Sequence, residues 1–474
     1  MEQEVVTDGQ APDLVDALKH RKELETQYYD HIGVETDVLR ESIVNLDRID
    51  LLMSEVLSYQ VKPCHMSMLK FQQSNDKTLV LAPRGIGKSI SLTVVRSLFE
   101  VVKNPDIRIL IVSNTQLQAE IFLREIKQHI EANDKFIDVF GDLVGAKWDS
   151  KEINVKTRKT FAKESTISCC GVGGAIIGRH YDLIIADDLV DEENSRTDLQ
   201  RERFKVWFYK SLEPTLEPDG RMFVHGTRYY PSDFYGHLAK VDDSFISRVW
   251  PAINKNGESL WPEKMTLEWL LSKKKAMGTA IFNTQYQNDT TAMEGKIFKY
   301  EYIKFYDSLP DKIAVYQGVD LAVKKEENHD FFCIATIGKD EYGRVYLIDL
   351  FKDKLSFLQK TAKIIEKNNQ YHPRRIFIES NAYQSVQGEL VMHLSDAPVK
   401  PITTIKDKVT RAWTLSSKFE NGDVYFPRWG VQDFIDSLIE FPDSDHDDDF
   451  DAFEIAVSWA FRKQKKSRRD FGVL

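Results

Sequence analysis

The chain has 474 residues, 42% of them hydrophobic and 29% charged, which excludes both a disordered polymer and a single small module and leaves room for two or three domains. No apolar run reaches the ~20 residues that a membrane-spanning helix needs, and Met1-Glu2-Gln3-Glu4 lacks the character of a secretion signal, so the expectation is a cytoplasmic protein, not secreted and without a membrane partner. The net charge of −10 argues against a nucleic-acid partner only until it is divided: residues 1–50 hold 13 acids and 5 bases, a balance of −8, and the rest is close to neutral.

Residues 1–35 read as loosely ordered, and Leu39, Ile43, Leu46, Met53 and Leu57 recur at helical spacing between Thr36 and Tyr59. Thr78 to Leu81 then predicts a strand, followed by a glycine turn, a helix to about Val102, a strand over Ile107 to Val112 and a helix over Gln116 to Glu131. This alternation is that of a parallel α/β domain, with further strands expected at Thr166 to Ser168, Asp182 to Ala186 and Arg221 to His225. Hydrophobic periodicity lapses over Asn283 to Thr291, and a domain boundary is placed there. Beyond it, strands over Val315 to Asp320, Phe331 to Ile337 and Val345 to Leu350 precede a helix at Ser356 to Asn368 and a strand at Arg375 to Glu379. A helix near Ser385 to Leu394 and a strand near Lys400 to Thr403 complete a βββαβαβ order, that of a ribonuclease-H-like fold. Arg462 to Arg469 packs six cations into eight positions, either a solvated tail or one that binds phosphate. Cys64, Cys169, Cys170 and Cys333 have no metal-ligand spacing, adjacent Cys169-Cys170 are expected to pack as small hydrophobes, and a reducing compartment fits.

Two constellations carry chemistry. Ala82-Pro83-Arg84-Gly85-Ile86-Gly87-Lys88-Ser89 lies between a predicted strand and a predicted helix, where small residues let backbone N–H groups face phosphates. Lys88 would reach the β and γ groups and Ser89 would ligate magnesium, although Ala82 stands where the P-loop pattern has its first glycine. Leu183-Ile184-Ile185-Ala186-Asp187-Asp188 supplies the partner motif, with Asp187 read as a magnesium-shell acid and Asp188 as the base for the attacking water. A cation is also needed at the developing γ-phosphate charge, for which Arg84 and Arg179 are candidates, Arg179 as a finger acting on a neighbouring subunit, with a structural ion pair as the alternative reading of either.

The second constellation is acidic. Asp320 and Glu379 each end an apolar predicted strand, and a third station lies in Asp445-His446-Asp447-Asp448-Asp449-Phe450-Asp451. An aspartate run also caps a helix N-terminus, worth ~0.3–1 kcal/mol per acid, but capping leaves Asp320 and Glu379 unexplained. Asp320, Glu379, Asp448 and Asp451 are therefore read as ligands for a pair of hard cations that support phosphodiester cleavage, with Asp330 as a further candidate.

With these residues in hand, the stretch from Lys62 to Phe461 resembles the large terminase subunit of tailed bacteriophages. The resemblance is carried, in order, by Pro63 to Leu69, the Ala82 to Ser89 loop, Asp182 to Asp188, His225-Gly226-Thr227-Arg228, Gln285-Tyr286-Gln287-Asn288, Gly318-Val319-Asp320, Ile378-Glu379-Ser380-Asn381, His446-Asp447-Asp448 and Asp451-Ala452. It implies an α/β chain with a P-loop ASCE ATPase domain at 61–290 and a ribonuclease-H-like nuclease domain at 291–461, between an acidic extension at 1–60 and a basic tail at 462–474. It further implies ATP and magnesium, with manganese able to substitute at the nuclease site, and double-stranded DNA, a portal protein and a small terminase subunit as partners. A homo-oligomeric ring acting transiently on a procapsid portal in the host cytoplasm follows from the same likeness. His65 maps onto an adenine-side element, and Gly226-Thr227 onto the segment that couples hydrolysis to movement. Two rivals are a helicase-nuclease of DNA processing, which would need a second set of ATPase motifs, and an assembly ATPase with a structural cation.

Overall fold

The computed structural model describes residues 35–321, 331–379, 384–404, 407–442 and 448–462. The acidic extension up to residue 34, Asp330, Ser380, Asn381, Asp445, His446, Asp447 and the tail from Lys463 lie outside the described residues.

The chain forms two compact units. The first runs to Met265 and takes in Gln285–Asn288, and the second comprises Thr266–Thr284 and everything from Asp289. Where the sequence reading sets one boundary, the chain thus passes from one unit to the other three times within a short stretch. Gln285–Asn288 is held in the first unit by polar groups: the Gln287 side chain accepts from the Ile253 N–H at 2.9 Å and donates to the Ile253 carbonyl at 3.0 Å. Ala252 donates to the Tyr286 carbonyl at 2.8 Å, and Arg228 to Asn288 Oδ1 at 3.0 Å.

The first unit is built on an eight-stranded sheet. Its strands are β1 Lys77–Leu81, β2 Ile109–Ser113, β3 Val144–Trp148, β4 Glu152–Val155, β5 Ile167–Gly171, β6 Tyr181–Asp187, β7 Leu216–Gly226 and β8 Ile246–Val249, in the order β3-β4-β5-β2-β6-β7-β1-β8. From β5 to β8 all neighbours are parallel, whereas β3 and β4 add an antiparallel edge. Central strands read as continuous apolar runs because both faces are covered: Ile109, Ile111, Leu183 and Ile185 enter one core, Leu110, Val112, Ile184 and Ala186 the other. The edge strands escape sequence reading for the converse reason, since β8 is exposed along its whole length and β3 is at best half-buried.

The second unit carries a seven-stranded sheet, order β14-β13-β10-β11-β12-β15-β9. Its strands are β9 Lys304–Tyr306, β10 Ala314–Asp320, β11 Phe332–Lys339, β12 Val345–Asp353, β13 Arg375–Glu379, β14 Val399–Ile402 and β15 Val424–Pro427. The β10-β11-β12 meander is antiparallel and β13 joins β10 in parallel, which is the expected βββαβαβ core with β9 and β15 added at one edge. The Asp448–Ala460 helix lies across β10 and β11. All four cysteines are buried free thiols, and Cys169 and Cys170 pack into apolar cores as expected of them.

Candidate functional sites

The Ala82 to Ser89 loop joins β1 to a helix that is wound wide over Ser89–Val95 and continues as Arg96–Lys103. Gly85 and Gly87 take φ of +78° and +85°, the left-handed region in which a side chain is strained, so both loop glycines are required. Ala82 is not among the positive-φ residues and its N–H is bonded to the Gly226 carbonyl at 3.2 Å, as a strand residue would be. An alanine therefore suffices where the motif has glycine.

Lys88 is buried, with its ammonium folded back onto the Ala82 and Pro83 carbonyls at 3.1 and 3.2 Å and onto Thr227 Oγ1 at 3.0 Å. β6 ends beside it. Asp187 is fully buried; its Oδ2 accepts from Thr93 Oγ1 at 2.8 Å and stands 3.3 Å from His225 Nε2. Burial pushes the Asp187 carboxyl up, but His225, Thr93 and Ser89 together outweigh it and hold the group below the usual range. Its Oδ1 has no hydrogen-bond partner. A buried orphan carboxylate oxygen beside a serine hydroxyl fits a magnesium shell. Asp188, with φ of +46°, has its carboxyl raised by burial, opposed by Lys88 and reinforced by Asp187. Thr93 was not singled out in the sequence, although it stands four residues after Ser89 on the same helix and so shares its face.

The two arginine candidates differ. Arg84 lies over the Tyr229 ring at 5.3 Å and donates to its hydroxyl, beside the loop it belongs to. Arg179 is ion-paired with Glu152 at the start of β4. Its approach through Gly171 to Gly174 pointed to an exposed loop finger; within this chain the guanidinium is paired with the Glu152 carboxylate, which fits the structural ion-pair reading of this arginine. His65 is buried, bonded through Nε2 to the Ile86 carbonyl at 2.8 Å and edge-on to Trp261 at 5.0 Å. Both line a cleft of about 460 Å³ that also includes Gln60, Gly87, Ile90 and Lys264. Trp261 carried no sequence motif.

In the second unit, Val319 pairs with Ile378, so Asp320 and Glu379 follow one another across neighbouring parallel strand ends. Asp320 is opposite Cys333 on β11. The face they share is the one beneath the Asp448–Ala460 helix: a Cβ on Gly318 would meet the Ala452 carbonyl at 2.2 Å, and Phe377 clusters with Ile455. The start of that helix is placed at the same end of the sheet, because Asp448 Oδ2 accepts from the Phe331 N–H at 3.3 Å. Burial raises the Cys333 thiol above its usual range, and Asp449, Asp320 and Asp448 raise it further against the effect of Lys352.

The other described aspartates of the run, Asp449 and Asp451, have partners of their own. Asp451 presents one oxygen to Lys408 Nζ at 2.7 Å and the other to Arg411 at 2.8 Å, and Asp449 is paired with Lys352 at 3.1 Å. Both oxygens of Asp451 are thus engaged by cations of one neighbouring helix, so that in this structure it serves as an ion-pair anchor between two helices. Among the described residues no three His, Cys, Asp or Glu side chains stand in an arrangement that could hold a metal ion. Asp320, Glu379 and Asp448 share a face and an end of the sheet as hard oxygen donors without being drawn together. Among the described residues no helix is long and apolar enough to cross a membrane.

Comparison with known proteins bears on both units. Residues 317–459 match the family described as the terminase RNaseH-like domain. A large terminase subunit of Enterobacteria phage T3 is 29% identical over 197 residues, which is 40% of this chain and 32% of that protein, so the match spans about a third of the relative's length. The large terminase of a thermophilic bacteriophage, solved in complex with ATP-γ-S, superimposes with a TM-score of 0.52 at 10% identity, covering 84% of this chain and 99% of that one. The same protein in complex with ADP gives 0.50 over 85% and 100%. At that identity the likeness speaks for the fold.

Proposed function

We propose that this chain, a relative of the large terminase subunits of phages, hydrolyses ATP in its first unit and cuts DNA in its second, serving as a motor that packages double-stranded DNA into a procapsid. The observation that carries this is the meeting of Lys88, Asp187, Asp188 and Thr227 at adjoining ends of β1, β6 and β7, in a chain whose second sheet presents Asp320 and Glu379 at adjoining ends of β10 and β13. Functionally, 61–290 is read as the ATPase region and 291–461 as the nuclease region.

In the first unit the Arg84 to Ser89 amides bind the phosphates, Lys88 neutralises the β and γ groups, and the His65 and Trp261 cleft takes the base. Ser89 and Asp187 would hold magnesium with the nucleotide. Asp188, with its raised carboxyl, takes the proton of the attacking water, and Arg84 stabilises the charge that develops on the γ-phosphate. In the second unit Asp320, Glu379 and Asp448, hard oxygen donors at one end of the sheet, would have to draw closer to hold magnesium or manganese, which supplies charge neutralisation at the scissile phosphate when bound. Duplex binding rests on phosphate contacts and so weakens with salt. Portal, small subunit and ring assembly follow from the same reading, with the chain in the host cytoplasm.

Lys88→Ala is expected to lower ATP turnover ~100-fold or more and to leave manganese-dependent plasmid cutting intact, and Asp320→Ala to do the reverse. Undiminished ATPase in the first variant, or undiminished chelator-sensitive cutting in the second, would sink the corresponding site.

A further inference from the structure

Strand β7 brings His225 beneath the two acids that end β6, in register with Asp187. The imidazole is wholly out of solvent. Its Nε2 lies 3.3 Å from Asp187 Oδ2 and 3.0 Å from Thr93 Oγ1, and Thr93 Oγ1 donates to the same carboxylate oxygen at 2.8 Å. One oxygen of Asp187 is therefore tied into a three-membered cluster, and the other is left without a hydrogen-bond partner.

The backbone of the same residue reaches the second acid, since the His225 carbonyl accepts the Asp188 N–H at 3.0 Å. Asp188 has the left-handed φ of +46°, a conformation that needs such a hold. Two residues on, the Thr227 hydroxyl accepts from Lys88. One strand end thus touches the loop lysine, the magnesium-shell acid and the candidate base.

We propose that His225 is a positioning residue for ATP hydrolysis: its ring and Thr93 fix which oxygen of Asp187 faces the magnesium position, and its carbonyl sets the path of Asp188. The assignment rests on the ATPase reading above. A ring that only filled space between apolar strands would be replaceable by leucine, whereas His225 points a polar edge at the one carboxylate buried with it.

The test compares His225→Leu, which keeps bulk and removes the polar edge, with His225→Gln, whose amide nitrogen can approach the position of Nε2, in the full chain. ATP turnover, its dependence on magnesium and the affinity for a fluorescent ATP analogue are measured for each. His225→Leu is expected to lose about 10- to 100-fold in kcat and to need several-fold more magnesium for half-saturation, with nucleotide affinity within about twofold; His225→Gln recovers a large part of kcat. Thr93→Val, which removes the hydroxyl on the same oxygen with little change in shape, should move turnover and magnesium dependence in the same direction, and stands in if His225→Leu does not fold. Turnover and magnesium dependence like those of the wild type in His225→Leu, or in Thr93→Val where it stands in, overturn the proposal alone. Equal losses in the leucine and glutamine variants, with nucleotide affinity falling in parallel, also overturn it. A wild-type chain that fails to hydrolyse ATP removes the ATPase reading, and this proposal with it.

Discussion

Glu152 opens β4 with Lys147, Arg179 and Ser165 around it, the serine hydroxyl at 3.0 Å. Burial pushes its carboxyl up, but the two cations and the hydroxyl prevail and hold it at about 2, below the ordinary 4.5. Ionised Glu152 therefore stabilises the fold fully above about pH 4.5, and that contribution is lost as pH falls toward 2. Urea unfolding of the wild type and Glu152→Gln should accordingly show a gap in stability at neutral pH that narrows through this window. A constant gap would show that the charge of Glu152 is not what the edge of the sheet uses. Arg179 is the lesson at this scale: its glycine-rich approach was legible in the sequence, but its partner is 27 residues earlier on a strand with no sequence signature. An ion pair of that kind depends on where two elements end up, and local spacing does not contain it.

Among elements, the Asp448–Ala460 helix decides the second site. It can lie on β10 only because Gly318 offers no side chain, the nearest helix backbone atom being 2.2 Å from where a Cβ would stand. Gly318→Ala should force the helix off the sheet, at a cost of ~1–3 kcal/mol or more in thermal unfolding, and weaken cutting by displacing Asp448 relative to Asp320. Unchanged stability and unchanged cutting in that variant would refute the close approach. The acids at the ends of β10 and β13 were legible because those strands are apolar runs that stop at a carboxylate. Which described aspartates of the run are paired with cations was not, since Lys352, Lys408 and Arg411, the cations that take Asp449 and Asp451, come from β12 and from a helix some forty residues upstream.

At the scale of the whole molecule, two units with separate cores and separate sheets make a single cooperative transition unnecessary. Heating should resolve two transitions, and magnesium with a non-hydrolysed ATP analogue should raise one of them, by about 2.7 kcal/mol of apparent stability at a hundredfold excess over Kd. If both transitions rise together, the nucleotide is not confined to the first unit.

The sequence by itself determined the α/β class, the glycine loop after β1, the paired acids at the end of β6 and the acidic strand ends, because each is written in contiguous residues whose period and spacing follow from backbone geometry. Tertiary structure alone decided that Thr93 and His225 grip Asp187, that Arg179 and Asp451 are ion-pair residues, that Trp261 joins His65 in a cleft, and that Gln285–Asn288 belongs with the first unit. Each of these joins residues far apart along the chain, and a contact of that kind exists only once packing has set the distance.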